Sequence, residues 1–385
     1  MFSRPYWSQR IEDAWDQAPI VWLSGVRRCG KTTLARGLGG QDTLYLACDL
    51  PSVAARVRDP EHFFHSCSAP RIVFDEIHQL DDPTRLLKIG ADHFPHLRLL
   101  ATGSSTLAAG HKFRDTLTGR KRTVHLTPWL LEELEVAGIS LERRLVRGGI
   151  PPALLLDSTP AEMYREWLDS FFARDIQTLF GFRDYARFNA LFEYVIRASG
   201  GSLETTKTAR DLGIARATVE SHLRALVTTH AATVVRPFHG GGRAELVKQP
   251  KVYAFDTGFV CFVRGWNEPR EEERGILWEH IVLEQIQAYE PHQAVHYWRD
   301  THGSEIDFVL PRQRDTVDVL ECKWNPNHLN PRALQRFREH YPSGRNYVVT
   351  PAAAEPYPLR SGNLEWTVCA PAHFRGGAQA RPAAP

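Results

Sequence analysis

The segment that most constrains this chain is an apolar run, Ile20–Ser24, that leads directly into Gly25-Val26-Arg27-Arg28-Cys29-Gly30-Lys31-Thr32 and then into the helix-forming stretch Thr33–Leu38. A strand, a loop of the pattern GxxxxGK[ST] and a helix, in that order, build a cradle for phosphate groups. The glycines let the backbone approach the anion, while amide N–H groups and the helix N-terminus turn positive partial charge toward it. Lys31 reaches the terminal phosphates and Thr32 ligates a magnesium ion. Gly25, Cys29, Gly30, Lys31, Thr32 and Thr33 are therefore the expected nucleotide contacts, with ATP and Mg2+ as the ligands.

A second apolar run, Ile72-Val73-Phe74, ends in Asp75-Glu76. Asp75 is expected to hold the metal shell together with Thr32, and Glu76 to polarise the attacking water, which is the chemistry of hydrolysis. Helix capping would account for Asp75 alone, but not for two carboxylates closing a buried strand.

Around these motifs, Ile20–Ser24, Leu44–Cys48, Arg71–Asp75, Leu97–Thr102 and Thr123–Leu126 read as short apolar strands separated by amphipathic stretches. Buried parallel strands with helical crossovers have this pattern, so the fold class is α/β, with a parallel sheet at the start of the chain. From Leu130 to Arg197 the period becomes helical, with Tyr164, Trp167, Leu168, Phe171 and Phe172 on one face, a packing stripe suited to a helical lid.

In Thr208–Leu223, residues Ala209, Leu212, Ile214, Val219 and Leu223 are spaced to pack two short helices about a turn at Gly213. A hairpin signal follows at Gly240-Gly241-Gly242, between Thr233–Pro237 and Lys251–Phe255, so this part reads as a winged helix. Its second helix is expected to expose Arg216, Thr218, His222 and Arg224, a set suited to DNA; subunit packing is the competing use of that face. Beyond the turn-rich stretch 265–268 and the charged run Arg270–Arg274, a helix over Gly275–Tyr289 and strands near Val295–Trp298, Ile306–Leu310 and Val317–Cys322 open a second α/β domain. The expected division is 1–130, 131–199, 200–264 and 265–370, with a disordered tail over 371–385.

With 385 residues, 43% hydrophobic and 24% charged, the chain is long enough for several cores and ordinary in composition. A formal net charge of +2 is too mild for bulk electrostatic attraction to nucleic acid, so any basic surface must be local. The six cysteines are scattered without a CxxC pair and read as reduced thiols rather than a zinc site. No leader pattern and no apolar run of the roughly 18 residues that a membrane span needs is legible, so a soluble cytoplasmic protein is the expectation.

In the C-terminal part, Glu279 falls within an apolar helical stripe of Ile276, Val282, Leu283 and Ile286, where a carboxylate needs a partner. Asp307 follows at the start of a strand, and Glu321-Cys322-Lys323 closes another. The order Glu, Asp, Glu-x-Lys resembles the PD-(D/E)xK nuclease fold. That resemblance implies Mg2+ held by Asp307 and Glu321, a shell completed by Glu279, and water oriented or deprotonated by Lys323. The alternative is an ion-pair network in a nuclease-like domain kept for binding or assembly.

Taken in order, Gly25–Thr33, Ile72–His78, Leu99–Ser105, Leu117–Arg120, Gly148–Pro151, Lys251–Gly258 and the segments around Glu279, Asp307 and Glu321 resemble the AAA+ ATPases. The likeness is to the archaeal-ATPase-like group that carries an ATPase, a winged helix and a C-terminal domain of unknown function. It implies that Ser104 senses the terminal phosphate and that Arg120 reaches into a neighbouring subunit's nucleotide. A helix-capping serine and a solvated basic turn, Arg120-Lys121-Arg122, are the competing readings. The resemblance also implies a homo-oligomeric, hexameric ring and a DNA motor, such as a translocase in branch migration or fork remodelling during repair. An ATP-controlled nuclease and an assembly switch without DNA are the rivals.

Overall fold

The computed structural model describes residues 3–40, 42–103, 116–157, 160–239, 249–313 and 315–374. Its contacts form two units: Met1–Gly138 with Ile150–Arg183 and Thr228–Ala231, and Ile139–Gly149 with Asp184–Val227 and Ala232–Pro385. These units do not coincide with the five-part division expected from the sequence, because the segment 131–199 is shared between them.

In the first unit the described strands are β1 (Ile20–Ser24), β2 (Thr43–Ala47), β3 (Arg71–Asp75), β4 (Arg98–Thr102) and β5 (Lys121–His125). They pair in the order β2-β3-β4-β1-β5, parallel throughout. The expected strands thus form close to where apolar runs place them. In β1 every residue is buried, as a strand covered on both faces requires. Trp22, Phe63, Phe64, Phe74, Leu87 and Leu99 share one core; each fully buried large side chain there contributes about 1.5–3 kcal/mol. The helix Pro83–His93 starts on Asp82, whose side chain accepts from the Arg85 amide, and it packs so closely that a Cβ on Gly90 would lie 2.8 Å from both Leu99 and Phe64. Because β4 lies between β3 and β1, the ends of these three strands meet at one edge of the sheet.

In the second unit the described strands are β6 (Gly201–Ser202), β7 (Ala232–Pro237), β8 (Lys251–Ala254), β9 (His296–Arg299), β10 (Glu305–Gln313), β11 (Thr316–Cys322), β12 (Asn346–Val349), β13 (Tyr357–Ser361) and β14 (Leu364–Cys369). They form one mixed sheet in the order β13-β14-β12-β11-β10-β9-β7-β8-β6. Parallel pairing of Arg236 with His296 and Pro237 with Tyr297 joins the β7–β8 pair to the C-terminal strands, so two regions read separately in the sequence share one sheet. The Gly240–Gly242 turn lies outside the described residues.

The helices Thr205–Leu212 and Arg216–Thr228 flank a left-handed Gly213, as the sequence pattern requires. Arg216 and Arg224 are exposed and Thr218 is half-buried. His222, expected at the surface, is buried instead, with its ring 5.4 Å from Phe188. It follows Val219 by three residues and precedes Ala225 by three, so it shares their buried face. The helix expected from Gly275 begins at Glu271, inside the charged run: the Glu273 carboxylate accepts from the Arg270 amide at 2.8 Å, and three glutamates occupy the positive end. Pro371–Phe374 forms a short turn of helix with Phe374 buried 5.1 Å from Tyr347, which corrects the expected tail at its first four residues. Among the described residues, no helix is long and apolar enough to cross a membrane.

Two of the ordered sequence marks have a packing role in this unit. Asp256 accepts from the Gly149 amide at 2.6 Å and from the Gly258 amide at 2.9 Å. Gly148, at φ 71°, sits so close that a Cβ would lie 1.8 Å from an Asp256 oxygen. Arg144, fully buried, donates to Thr257 Oγ1 at 3.0 Å and to the Glu284 carboxylate.

Candidate functional site

The loop after β1 takes its shape from two glycines. Gly25 has φ 146° and lies so near Leu126 that a Cβ would be 2.4 Å from its carbonyl oxygen; Gly30, at φ 101°, starts the helix Lys31–Gly37 two residues earlier than expected. Between them Arg28 holds a left-handed φ of 63°, a conformation that costs a non-glycine residue about 1 kcal/mol or more. The Lys31 ammonium is folded over the loop, donating to the carbonyls of Gly25 at 2.9 Å and Val26 at 3.0 Å.

Distant side chains brace this loop. Arg4 is paired with Glu133 through two 2.7 Å bonds and donates to Cys29 O at 3.1 Å. Trp167 Nε1 donates to Arg27 O at 3.0 Å, and Arg27 Nε pairs with Asp175 at the same distance. His125 and His230 pack with ring centroids 3.9 Å apart and planes tilted by 38°, and His125 Nδ1 lies 3.2 Å from Ser24 Oγ. Burial lowers both imidazoles, with Lys31 adding to the effect, and takes His230 to about 4.

At the end of β3, Asp75 is buried and ringed by hydroxyls. Its Oδ1 accepts from Thr102 at 2.5 Å and Thr32 at 3.3 Å, and its Oδ2 from Tyr45 at 2.5 Å. Burial, with the bond to Asp75, pushes the Tyr45 phenol up to about 12. The Thr102 hydroxyl also accepts from the Glu76 amide at 3.0 Å, which fixes Glu76 in a left-handed conformation at φ 54°. The Glu76 side chain is 42% exposed and lies 3.3 Å from His78. Sequence reasoning missed Thr102 and Tyr45, although a polar residue closing the apolar run Leu99-Leu100-Ala101 was a usable signal.

Gly25, Cys29, Gly30, Lys31, Thr32, Thr33 and Glu76 line a cavity of about 1540 Å3, with Pro151, Phe171, Asp175 and Leu179 contributed by the helical segment. This exceeds the roughly 300–1,000 Å3 typical of small-molecule sites and leaves room for a nucleoside triphosphate. The residues fit the ligands: the glycines clear the backbone, Lys31 brings the cation, and Thr32 and Asp75 bring the oxygen donors that would hold Mg2+. When bound, ATP would supply the phosphoanhydride to be split, and Mg2+ would neutralise its charge. Arg120 lies away from this cavity, its guanidinium forked onto the exposed Asp92 carboxylate at 2.5 and 3.1 Å. Ser104 lies outside the described residues.

The second unit brings Glu279, Asp307, Glu321 and Lys323 into one neighbourhood, as the sequence order suggested. Among the described residues, no three His, Cys, Asp or Glu side chains are grouped to hold a metal ion. The charges close on each other instead. Lys251 Nζ lies 2.9 Å from Glu279 and 2.5 Å from Glu305; Tyr253 donates to Glu279 at 2.5 Å; Lys323 Nζ lies 2.7 Å from Glu321 and 3.6 Å from Asp307. Asp307 Oδ2 accepts from the Cys322 amide at 2.8 Å. Burial, with the Asp307 charge, pushes Glu321 up to about 8 against the pull of Lys323. Lys251 and Tyr253 were missed as members of this cluster, although their i, i+2 spacing on a strand places them on one face.

Comparison with known proteins agrees with the geometry of the first unit. Residues 17–135 match the family model described as an AAA domain. Fold and site together define residues 17–135 as a P-loop ATPase domain of the AAA type. Residues 138–270 and 274–369 match two models described as domains of unknown function (DUF8612 and DUF4143). The chain is 27% identical over 309 residues to an uncharacterized protein of Mycobacterium tuberculosis and, equally, to one of Mycobacterium bovis, spanning 78% of this chain and 69% of each relative. Among solved structures, a Walker-type ATPase of Pyrococcus abyssi superposes with a TM-score of 0.45 at 15% identity, covering 69% of this chain and 96% of that one.

Proposed function

We propose that this ATPase uses Mg2+-dependent ATP hydrolysis to work on DNA, as an oligomeric motor of the translocase kind. The exposure of Arg216 and Arg224 on the second helix of a helix-turn-helix pair carries the DNA part of this reading. The apolar face of that helix is spent on packing, which leaves the two guanidinium groups on the outward side. Arg216 keeps a 2.8 Å bond to Glu220, four residues on, an exposed pair that a phosphate oxygen can replace at little cost.

ATP turnover measured with duplex, single-stranded and four-way-junction DNA tests the reading directly. Stimulation, greatest with junction DNA, is the expected outcome; turnover indifferent to all three would leave a nucleotide-dependent assembly switch. In parallel, Arg216→Glu with Arg224→Glu is expected to weaken DNA binding and flatten its salt dependence by about one counterion for each lost phosphate contact. An unchanged salt slope in the folded double variant would assign the helix to protein packing.

Arg120 acts in this reading across a subunit interface, exchanging Asp92 for a neighbour's phosphates. Arg120→Ala is expected to bind ATP normally and to hydrolyse it slowly under conditions of assembly. Mixing it with Lys31→Ala chains then restores part of the turnover, since each variant supplies what the other lacks. Wild-type hydrolysis by Arg120→Ala alone would confine this arginine to its bond with Asp92.

A further inference from the structure

We propose that Lys251 takes the place of the divalent cation in the nuclease-like carboxylate cluster, making the second unit a metal-independent, non-cleaving module whose ion network locks β8 onto the C-terminal sheet. One oxygen of each carboxylate that a metal would use is already engaged. Glu279 Oε1 receives both Lys251 Nζ at 2.9 Å and the Tyr253 hydroxyl at 2.5 Å. Asp307 Oδ2 receives the Cys322 amide, and Glu321 Oε2 receives Lys323. Lys251 is 5% exposed and also bonds Glu305, which Arg299 holds from its other side at 2.8 Å.

Charge counting agrees with this geometry. Four carboxylates, Glu279, Glu305, Asp307 and Glu321, face three cations, Lys251, Lys323 and Arg299, for a formal sum of one negative charge. A divalent ion added to this set would only reverse the sum to one positive charge, so the buried cluster gains no neutrality from a metal that the lysines do not already give it. Mg2+ also requires near-octahedral oxygen coordination at about 2.0–2.1 Å, so it could take the Glu279 and Glu305 oxygens that Lys251 holds only by displacing the ammonium.

The same contacts have a mechanical consequence. Lys251 and Tyr253 come from β8, Glu279 from the helix Glu271–Tyr289, Glu305 and Asp307 from β10, and Glu321 and Lys323 from β11. The lysine therefore ties the strand that follows the helix-turn-helix pair to two elements of the C-terminal region, the helix Glu271–Tyr289 and β10. The inference stands apart from the ATP site and does not depend on the motor reading.

The test is Mn2+ calorimetry on the full chain, free of nucleotide and carrying Lys31→Ala so that the phosphate loop contributes no metal. With Lys251 intact, no Mn2+ uptake sensitive to Glu279→Gln is expected, and Mn2+ leaves the melting temperature unchanged. Lys251→Met and Lys251→Gln should each melt lower, gain one Mn2+ per chain, recover melting temperature when it binds, and lose that site again with Glu279→Gln. Wild-type protein in Mn2+ should leave linear, single-stranded and junction DNA uncut. The proposal is overturned if the Lys251-containing chain binds an Mn2+ that Glu279→Gln removes, if wild-type protein cuts DNA and Asp307→Asn stops it, or if both Lys251 variants fold and gain no site. If circular dichroism shows both variants unfolded, the Lys251-containing chain decides: Glu279-dependent Mn2+ uptake overturns the proposal and its absence supports it.

Discussion

Glu76→Gln should bind ATP at close to wild-type affinity and hydrolyse it about 10²–10⁴-fold more slowly, the usual worth of a positioned general base. Glutamine keeps the volume of the side chain and leaves the bond between the residue 76 amide and Thr102 intact, so the loop geometry survives while the proton acceptor is lost. Lys31→Ala should differ in kind. It removes the ammonium now held by the carbonyls of Gly25 and Val26, and with it the charge that meets the terminal phosphates, so binding itself should fail. Fluorescent-nucleotide titration beside steady-state turnover separates the two. Rapid turnover by purified Glu76→Gln would remove this carboxylate from its assigned role.

Glu284→Ala should destabilise the second unit by about 3–5 kcal/mol, the cost of breaking a buried ion pair by removing one member. Arg144 is wholly buried against Glu284 and Thr257, and the same junction holds the Gly149 amide on Asp256. Without the carboxylate the guanidinium loses its bond to Glu284 while staying buried, and the segment Ile139–Gly149 should loosen first. Hydrogen exchange across that segment, together with urea unfolding, gives the size and place of the effect. Replacing both members, Arg144→Met with Glu284→Leu, should cost less than the single change, because both charges of the pair leave the interior together. A loss below about 1 kcal/mol in Glu284→Ala would mean that water already compensates Arg144.

The contrast between these two sites explains what was readable beforehand. Gly25, Gly30, Lys31 and Thr32 are neighbours in the chain and act through backbone conformation and fixed spacing, so a short pattern exposes them. Asp75-Glu76 is visible for the same reason, as a polar ending to an apolar run. Arg4 acts on the same loop but pairs with Glu133, 129 residues away, and Arg27 meets Asp175 across 148; no local pattern encodes such pairs. His222 was misplaced because three exposed-looking neighbours suggested a polar face, whereas Phe188, on another helix, supplies the cover.

The amino-acid order by itself determined the parallel strands, the phosphate loop with its acidic partner strand, the two-helix turn at Gly213, and the identity of the C-terminal carboxylates. Each follows from period, spacing or a backbone angle within a few residues. Only the tertiary structure decided what those carboxylates face. Lys251 belongs to a strand that follows the helix-turn-helix pair, and it reaches Glu279 and Glu305 because β7 pairs with β9 and draws β8 into the C-terminal sheet. Whether a buried acidic cluster meets a metal or an ammonium depends on which cation the folded chain brings within about 3 Å, where the Coulomb interaction is strongest. That is a property of the strand order and not of any one segment.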